Sequence, residues 1–211
     1  MILERPPEAW AIYVLAHGAG AGMRHPFMES FAKALAAEGV ATLRYEFPYM
    51  EKGARRIDAK PVLYARVREA VEKARDERLP IFAGGKSFGG RMTSEAQAAQ
   101  PLPEMRGIAF AGFPLHPARK PGTGRADHLK GVSVPMLFMQ GTRDELADLS
   151  LLKPIVAALP HATLHLIEGA DHSLRKAIVE LAETFAAWAR PLAQRPSGES
   201  SSRASRSAGS R

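Results

Sequence analysis

The sequence predicts an α/β protein, a mostly parallel central sheet of about six strands with helices on both faces. Three observations predict it. Short apolar runs alternate with helical patterns along nearly the whole chain. The first run, Trp10-Ala11-Ile12-Tyr13-Val14-Leu15-Ala16, is continuous rather than alternating, which suits a strand covered on both faces. Loops rich in glycine, acids and histidine follow the apolar runs, and parallel sheets place their sites at the carboxyl ends of strands.

Residues 10–16 form the first expected strand and run straight into His17-Gly18-Ala19-Gly20-Ala21-Gly22. That loop reads G-x-G-x-G, one residue short of the dinucleotide pattern, and no acid stands at a strand end about 20 residues on. A helix is expected over residues 25–38, with Phe27, Phe31, Ala34 and Leu35 at helical spacing and Gly39 as its stop. Val40–Tyr45 is the second strand, residues 46–60 a loop, and residues 61–77 a helix with Pro61 in its first turn. Residues 79–83 form the third strand, and Phe88–Ala99 a helix ended by Gln100-Pro101. Met105–Ala111 is the fourth strand, followed by a loop over residues 112–130 rich in Pro, Gly and His. Residues 134–139 and Ala162–Ile167 are the last two strands, separated by a helix over residues 150–159. The final helix, residues 173–190, carries Ile178, Leu181, Phe185 and Trp188 as an apolar stripe. One domain over residues 1–193 is expected, with a disordered Ser/Arg-rich tail over residues 194–211.

Composition removes several classes of function. The 211 residues include no cysteine, which excludes disulfides, thiolate metal sites and a cysteine nucleophile. No H-E-x-x-H motif occurs, so no metal and no other cofactor is expected. No apolar run approaches the roughly 20 residues of a membrane span. Residues 1–8 carry an acid and two prolines where a leader would need an apolar core, so a cytoplasmic location is expected. The net charge of +7 raises nucleic acid as a partner. Part of it lies in Arg195, Arg203, Arg206 and Arg211, which face only Glu199, and most other basic residues alternate with acids. No nucleic-acid partner is expected, and no feature fixes an oligomeric state.

The chemistry centres on Gly84-Gly85-Lys86-Ser87-Phe88-Gly89-Gly90. A strand, a glycine-flanked serine and a helix form the context in which G-x-S-x-G means a nucleophile elbow. Gly85 and Gly89 let such a turn close without clashes, and the new helix aims free N–H groups at an oxyanion. A phosphate-binding P-loop would need glycine at position 80, which is Pro80. The order Ser…Asp…His points to Asp144 in Gly141-Thr142-Arg143-Asp144 as the acid, with Glu145 and Asp148 as fallbacks. His172, in Gly169-Ala170-Asp171-His172-Ser173, stands before the last helix where the base is expected. A serine hydroxyl is a weak nucleophile until an imidazole held in one tautomer takes its proton. Among the other histidines, His17 is expected to brace the glycine loop and His25 to begin a helix. His161 and His165 lie around a strand, while His116 and His128 flank the long loop and could line a pocket.

Several segments together carry a resemblance. They are Val14 to Met28, Arg44-Tyr45-Glu46-Phe47-Pro48-Tyr49-Met50, Gly84 to Gly90, Gly112-Phe113-Pro114-Leu115-His116-Pro117, and the Asp144 and His172 motifs. In this order they resemble the small α/β-hydrolases of the testis-expressed and NSL-complex-subunit type, related to dienelactone hydrolases. The resemblance implies an α/β-hydrolase fold without a large lid domain and places Ser87, Asp144 and His172 in a catalytic triad. It also implies that the N–H groups of Ala19 and Phe88 form the oxyanion hole. The sequence departs from the family in Glu-Leu-Ala-Asp after Asp144, where a Pro and a small turn are usual. It begins almost at the first central strand, so antiparallel edge strands are expected to be missing. The expected function is a serine hydrolase acting on a small-molecule carboxylic ester or thioester. The alternative is a non-catalytic interaction module that retains the fold.

Overall fold

A computed structural model describes residues 1–194. Most of the tail expected over residues 194–211 therefore lies outside the described residues. Seven strands form one sheet in the order β1-β3-β2-β4-β5-β6-β7. They are β1 (Ile2–Glu4), β2 (Ala11–Ala16), β3 (Val40–Tyr45), β4 (Ile81–Lys86), β5 (Met105–Ala111), β6 (Met136–Gly141) and β7 (Ala162–Ile167). Every neighbouring pair is parallel except β1 with β3. The six parallel strands are those read from the sequence.

The antiparallel strand is a correction, because the sequence predicts none at the start of the chain. Three residues are too few for a hydrophobic period to be read. Pairing of Leu3 with Leu43 on the free edge of β3 makes it a strand, and Arg44 ties it down through a 3.2 Å ion pair with Glu4.

The helices are α1 (Pro26–Ala37), α2 (Pro48–Glu51), α3 (Lys60–Ala74), α4 (Phe88–Ala99), α5 (Leu149–Ala157) and α6 (Ile178–Ala193). The short α2 lies inside the expected loop over residues 46–60, and a 3₁₀ segment, Gly124–Gly131, lies inside the one over residues 112–130. Strand periodicity divides the core into two layers. Ile12, Val14 and Ala16 pack with Leu63, Val67, Met92 and Leu152 of α3, α4 and α5. Ala11, Tyr13 and Leu15 face the opposite way, against Phe27, Phe31, Leu181 and Phe185 of α1 and α6. All six residues of β2 are buried, as a doubly covered strand requires. No described helix is long and apolar enough to cross a membrane.

The sheet order sets the location of the site. From β2 the chain moves outward to β3 on one side and then returns to β4 on the other. The carboxyl ends of β2 and β4 therefore flank a topological switch point, the crevice where open α/β sheets bind ligands. The register pairs Ala16 with Gly85 there. This brings the loop that begins at His17 alongside the turn at Ser87.

Candidate active site

β4 runs farther than the sequence suggests, through Gly84 and Gly85 to Lys86, before the chain turns at Ser87. Gly85 has a φ of +150°, and a Cβ there would lie 2.2 Å from the Ala16 carbonyl oxygen. A Cβ on Gly89 would lie 2.4 Å from the His17 carbonyl oxygen, so glycine lets the first turn of α4 press against the end of β2. Between them Ser87 takes φ 51° and ψ −119°, a conformation that costs a non-glycine residue about 1–3 kcal/mol. Serine at the cap position of a helix usually bonds the helix N–H groups. Here its side chain makes no capping bond, and its Oγ lies 2.8 Å from His172 Nε2.

The other ring nitrogen of His172, Nδ1, lies 2.7 Å from Asp144 Oδ2. The Asp144 side chain is fully buried, while that of His172 retains 21% exposure. The carboxylate fixes the tautomer: Nδ1–H donates to Asp144, which leaves Nε2 as the acceptor for the serine hydroxyl. The loops that carry acid and base are stitched together. Arg143 N–H donates to the Ala170 carbonyl at 2.9 Å, Thr142 N–H to that of Ile167 at 3.0 Å, and Gly169 N–H to Thr142 Oγ1 at 2.8 Å. Asp171 Oδ1 accepts both N–H and Oγ–H of Ser173, which shapes the turn around His172.

The acid fallbacks have other places. Asp148 caps α5 by accepting Ser150 N–H at 2.8 Å, and Glu145 is exposed. Ser87, Asp144 and His172 are thus the residues that the structure brings together. Such a chain of contacts is suited to moving the serine proton onto the imidazole as a nucleophile attacks.

The glycine loop after β2 is braced from α2 and its cap residue Phe47. His17 is fully buried; its Nδ1–H donates to the Gly18 carbonyl at 2.7 Å, and its Nε2 accepts Phe47 N–H at 3.1 Å. Burial holds its pKa below the usual imidazole value, so it stays neutral and structural. Tyr49 Oη–H donates to the Ala19 carbonyl at 2.9 Å. The bracing leaves the loop backbone beside the elbow, where a Cβ on Gly18 would lie 3.9 Å from the Lys86 carbonyl oxygen. Phe88, as the first residue of α4, has an N–H with no acceptor inside the helix.

A family model described as an alpha/beta hydrolase domain matches residues 9–193. The chain belongs to the α/β-hydrolase family. Solved structures show the same fold. A serine hydrolase homologue from Coxiella burnetii aligns with a TM-score of 0.69 at 22% identity, over 88% of this chain and 89% of the other. A dienelactone hydrolase from Anabaena variabilis gives 0.70 at 21% identity, over 90% and 89%. An α/β serine hydrolase without a lid from Xanthomonas campestris gives 0.70 at 20% identity, over 92% and 89%. This α/β-hydrolase likewise has no large lid insertion among its described residues.

Two polar residues of this α/β-hydrolase escaped the sequence reading. Gln140, fully buried at the end of β6, donates through Nε2 to Asp144 Oδ2 at 2.5 Å and accepts Phe113 N–H at 2.8 Å. With Leu146 N–H bonded to Oδ1 at 2.8 Å, the carboxylate is held at both oxygens. The available signal was a lone amide inside an apolar strand, since buried polar groups must find partners. The second is Lys86, whose ammonium donates to the His172 carbonyl. His116 does not wait for a ligand: its Nδ1–H donates to the Pro117 carbonyl at 2.9 Å, and its Nε2 accepts Asp148 N–H at 2.9 Å. His128 lines a surface cleft with Lys60, Tyr64 and Glu95.

Proposed function

We propose that this α/β-hydrolase is a serine hydrolase, cleaving a small-molecule carboxylic ester or thioester through Ser87, His172 and Asp144. The observation that carries the reading is the continuous path Ser87 Oγ–His172–Asp144, with contacts of 2.8 and 2.7 Å, anchored on a strained elbow. Ser87 Oγ attacks the acyl carbon as Nε2 of His172 takes its proton, and Asp144 stabilises the imidazolium. The N–H groups of Ala19 and Phe88 stabilise the tetrahedral oxyanion. The imidazolium then protonates the departing alcohol or thiol. Water, deprotonated by the same imidazole, releases the acid and restores Ser87. The affinity with the testis-expressed and NSL-complex-subunit group belongs to this proposal, as does the one-domain extent over residues 1–193.

A fluorophosphonate probe tests it without a known substrate. The wild type is expected to label at Ser87, and Ser87→Ala and His172→Ala are expected not to. Labelling then justifies a screen of p-nitrophenyl esters of increasing acyl length. A folded wild type that stays unlabelled refutes the mechanism and favours an interaction role for the fold.

A further inference from the structure

Lys86 joins the strand that carries the serine to the loop that carries the histidine. It is the last residue of β4, and its half-buried side chain ends in an enclosed ammonium. That ammonium donates to the carbonyl of His172, and to the carbonyl of Ala111 at 3.3 Å. The Phe27 ring of α1 covers it, with the centroid 5.5 Å from Nζ. A Cβ placed on Gly112 would lie 3.0 Å from Nζ, 3.5 Å from Asp144 Oδ2 and 3.5 Å from His172 Cε1. Ammonium, acid and imidazole therefore meet around a single glycine. The charged groups facing Nζ are Asp144 on the loop after β6 and Asp171 on the loop after β7, with His172 beside them.

We propose that protonated Lys86 is a positioning residue for His172: its ammonium holds the His172 peptide so that the imidazole spans Asp144 and Ser87. The proposal rests on the serine-hydrolase reading. Burial favours the neutral amine and draws the Lys86 pKa down to about 8, against the opposing pull of Asp144 and Asp171. A charge-assisted bond is roughly twice as strong as a neutral one. The clamp therefore slackens as Lys86 loses its proton, and reactivity at Ser87 falls on the alkaline side.

The test is the rate constant of fluorophosphonate labelling between about pH 5 and about pH 9.5 for the wild type, Lys86→Met and Lys86→Arg. The wild-type rate is expected to fall severalfold on the alkaline side, with a midpoint near the Lys86 value of about 8. Lys86→Met, which keeps the stem but not the charge, should label about 10–100-fold more slowly, as expected for a misplaced base, and lose the alkaline fall. Lys86→Arg should recover much of the rate and also lose the alkaline fall, because guanidinium stays charged. A folded Lys86→Met that labels at the wild-type rate overturns the proposal. So does a wild-type rate that stays flat through the alkaline range, and this second readout decides the matter if Lys86→Met does not fold. A wild type that fails to label at any pH instead removes the serine-hydrolase reading itself.

Discussion

Two serine–histidine pairs of nearly equal length stand close together in the chain, one at the cap of α4 and one within the helix. Ser87 Oγ lies 2.8 Å from His172 Nε2, and Ser94 Oγ lies 2.7 Å from His128 Nε2. Everything around the second pair differs. Ser94 is fully buried inside a helix, and its hydroxyl donates to the Arg91 carbonyl at 3.0 Å. Its proton is thus already committed, and His128 donates through Nε2–H to the serine lone pair. No carboxylate among the described residues bonds Nδ1 of His128, whereas Asp144 holds that of His172 at 2.7 Å. Burial pushes the His128 pKa down to about 4, which fixes the ring as a neutral packing group. No unpaired helix N–H groups face Ser94, because a mid-helix position has none to offer. A short Ser–His contact is therefore common chemistry. The orienting acid, the strained turn and the free N–H groups at the start of α4 set the first pair apart.

Removing the features that separate the pairs should produce the largest effects. Asp144→Asn leaves the shape in place but offers an amide to Nδ1, which favours the wrong tautomer. Labelling by a fluorophosphonate should slow by about 10⁴-fold, with circular dichroism unchanged. A loss below tenfold would mean that Asp144 does not orient the base and would narrow the difference between the two pairs. The elbow comes next. Gly85→Ala places a Cβ 2.2 Å from the Ala16 carbonyl oxygen at a φ of +150°, and backbone cannot yield there as a flexible side chain could. A loss of about 3 kcal/mol or more is expected in a urea titration, together with a fall in labelling. Ser94, flanked by Thr93 and Glu95 rather than by such glycines, has no counterpart to this sensitivity.

The same contrast separates what could be read from the sequence and what could not. Apolar runs disclosed most of the parallel strands, because burial on both faces leaves a composition signal, while β7 at the sheet edge is only half-buried. Ser87, Asp144 and His172 were legible because each stands in a short motif at the end of such a run, in the required order. β1 left no signal, since its three residues become a strand only through the partner edge of β3. Gln140 showed only as a lone amide in an apolar strand, and neither the role of Lys86 nor the pairing of Ser94 with His128 could be read. Their roles depend on which loops meet at the carboxyl ends of the strands and on which helix faces the segment Gly124–Gly131. Asp148 stood as a fallback to Asp144 in the sequence, and the start of α5 shows it to be the helix cap.

The second pair also responds to pH. His128 binds a proton only near pH 4 in the folded protein, against 6.5 for the ordinary side chain. The folded-state value is depressed, so the unfolded chain holds more protons between these values. The stability linked to His128 is therefore full above about pH 6.5 and is lost as pH falls toward about 4. Allowing for partial exposure, the loss amounts to roughly 2 kcal/mol. His128→Phe should flatten this part of the stability profile in urea titrations at a series of pH values. An unchanged slope would show that some other group sets the acid limit.

The smallest effect expected is that of Ser94→Ala. The substitution removes the acceptor of His128 Nε2–H in a half-enclosed setting, so a loss of about 1 kcal/mol is expected in urea titration. Fluorophosphonate labelling of Ser87 should stay within about twofold of wild type, because Ser94 bonds neither Ser87 nor His172. Loss of labelling in a folded Ser94→Ala variant would erase the difference between the two pairs, and the segment from Ser87 to Ser94 would have to act as one unit. Unchanged labelling alongside the small destabilisation would make the second pair a control carried within the same molecule. It would then show that equal Ser–His distance, without an acid behind the ring, gives packing rather than a nucleophile.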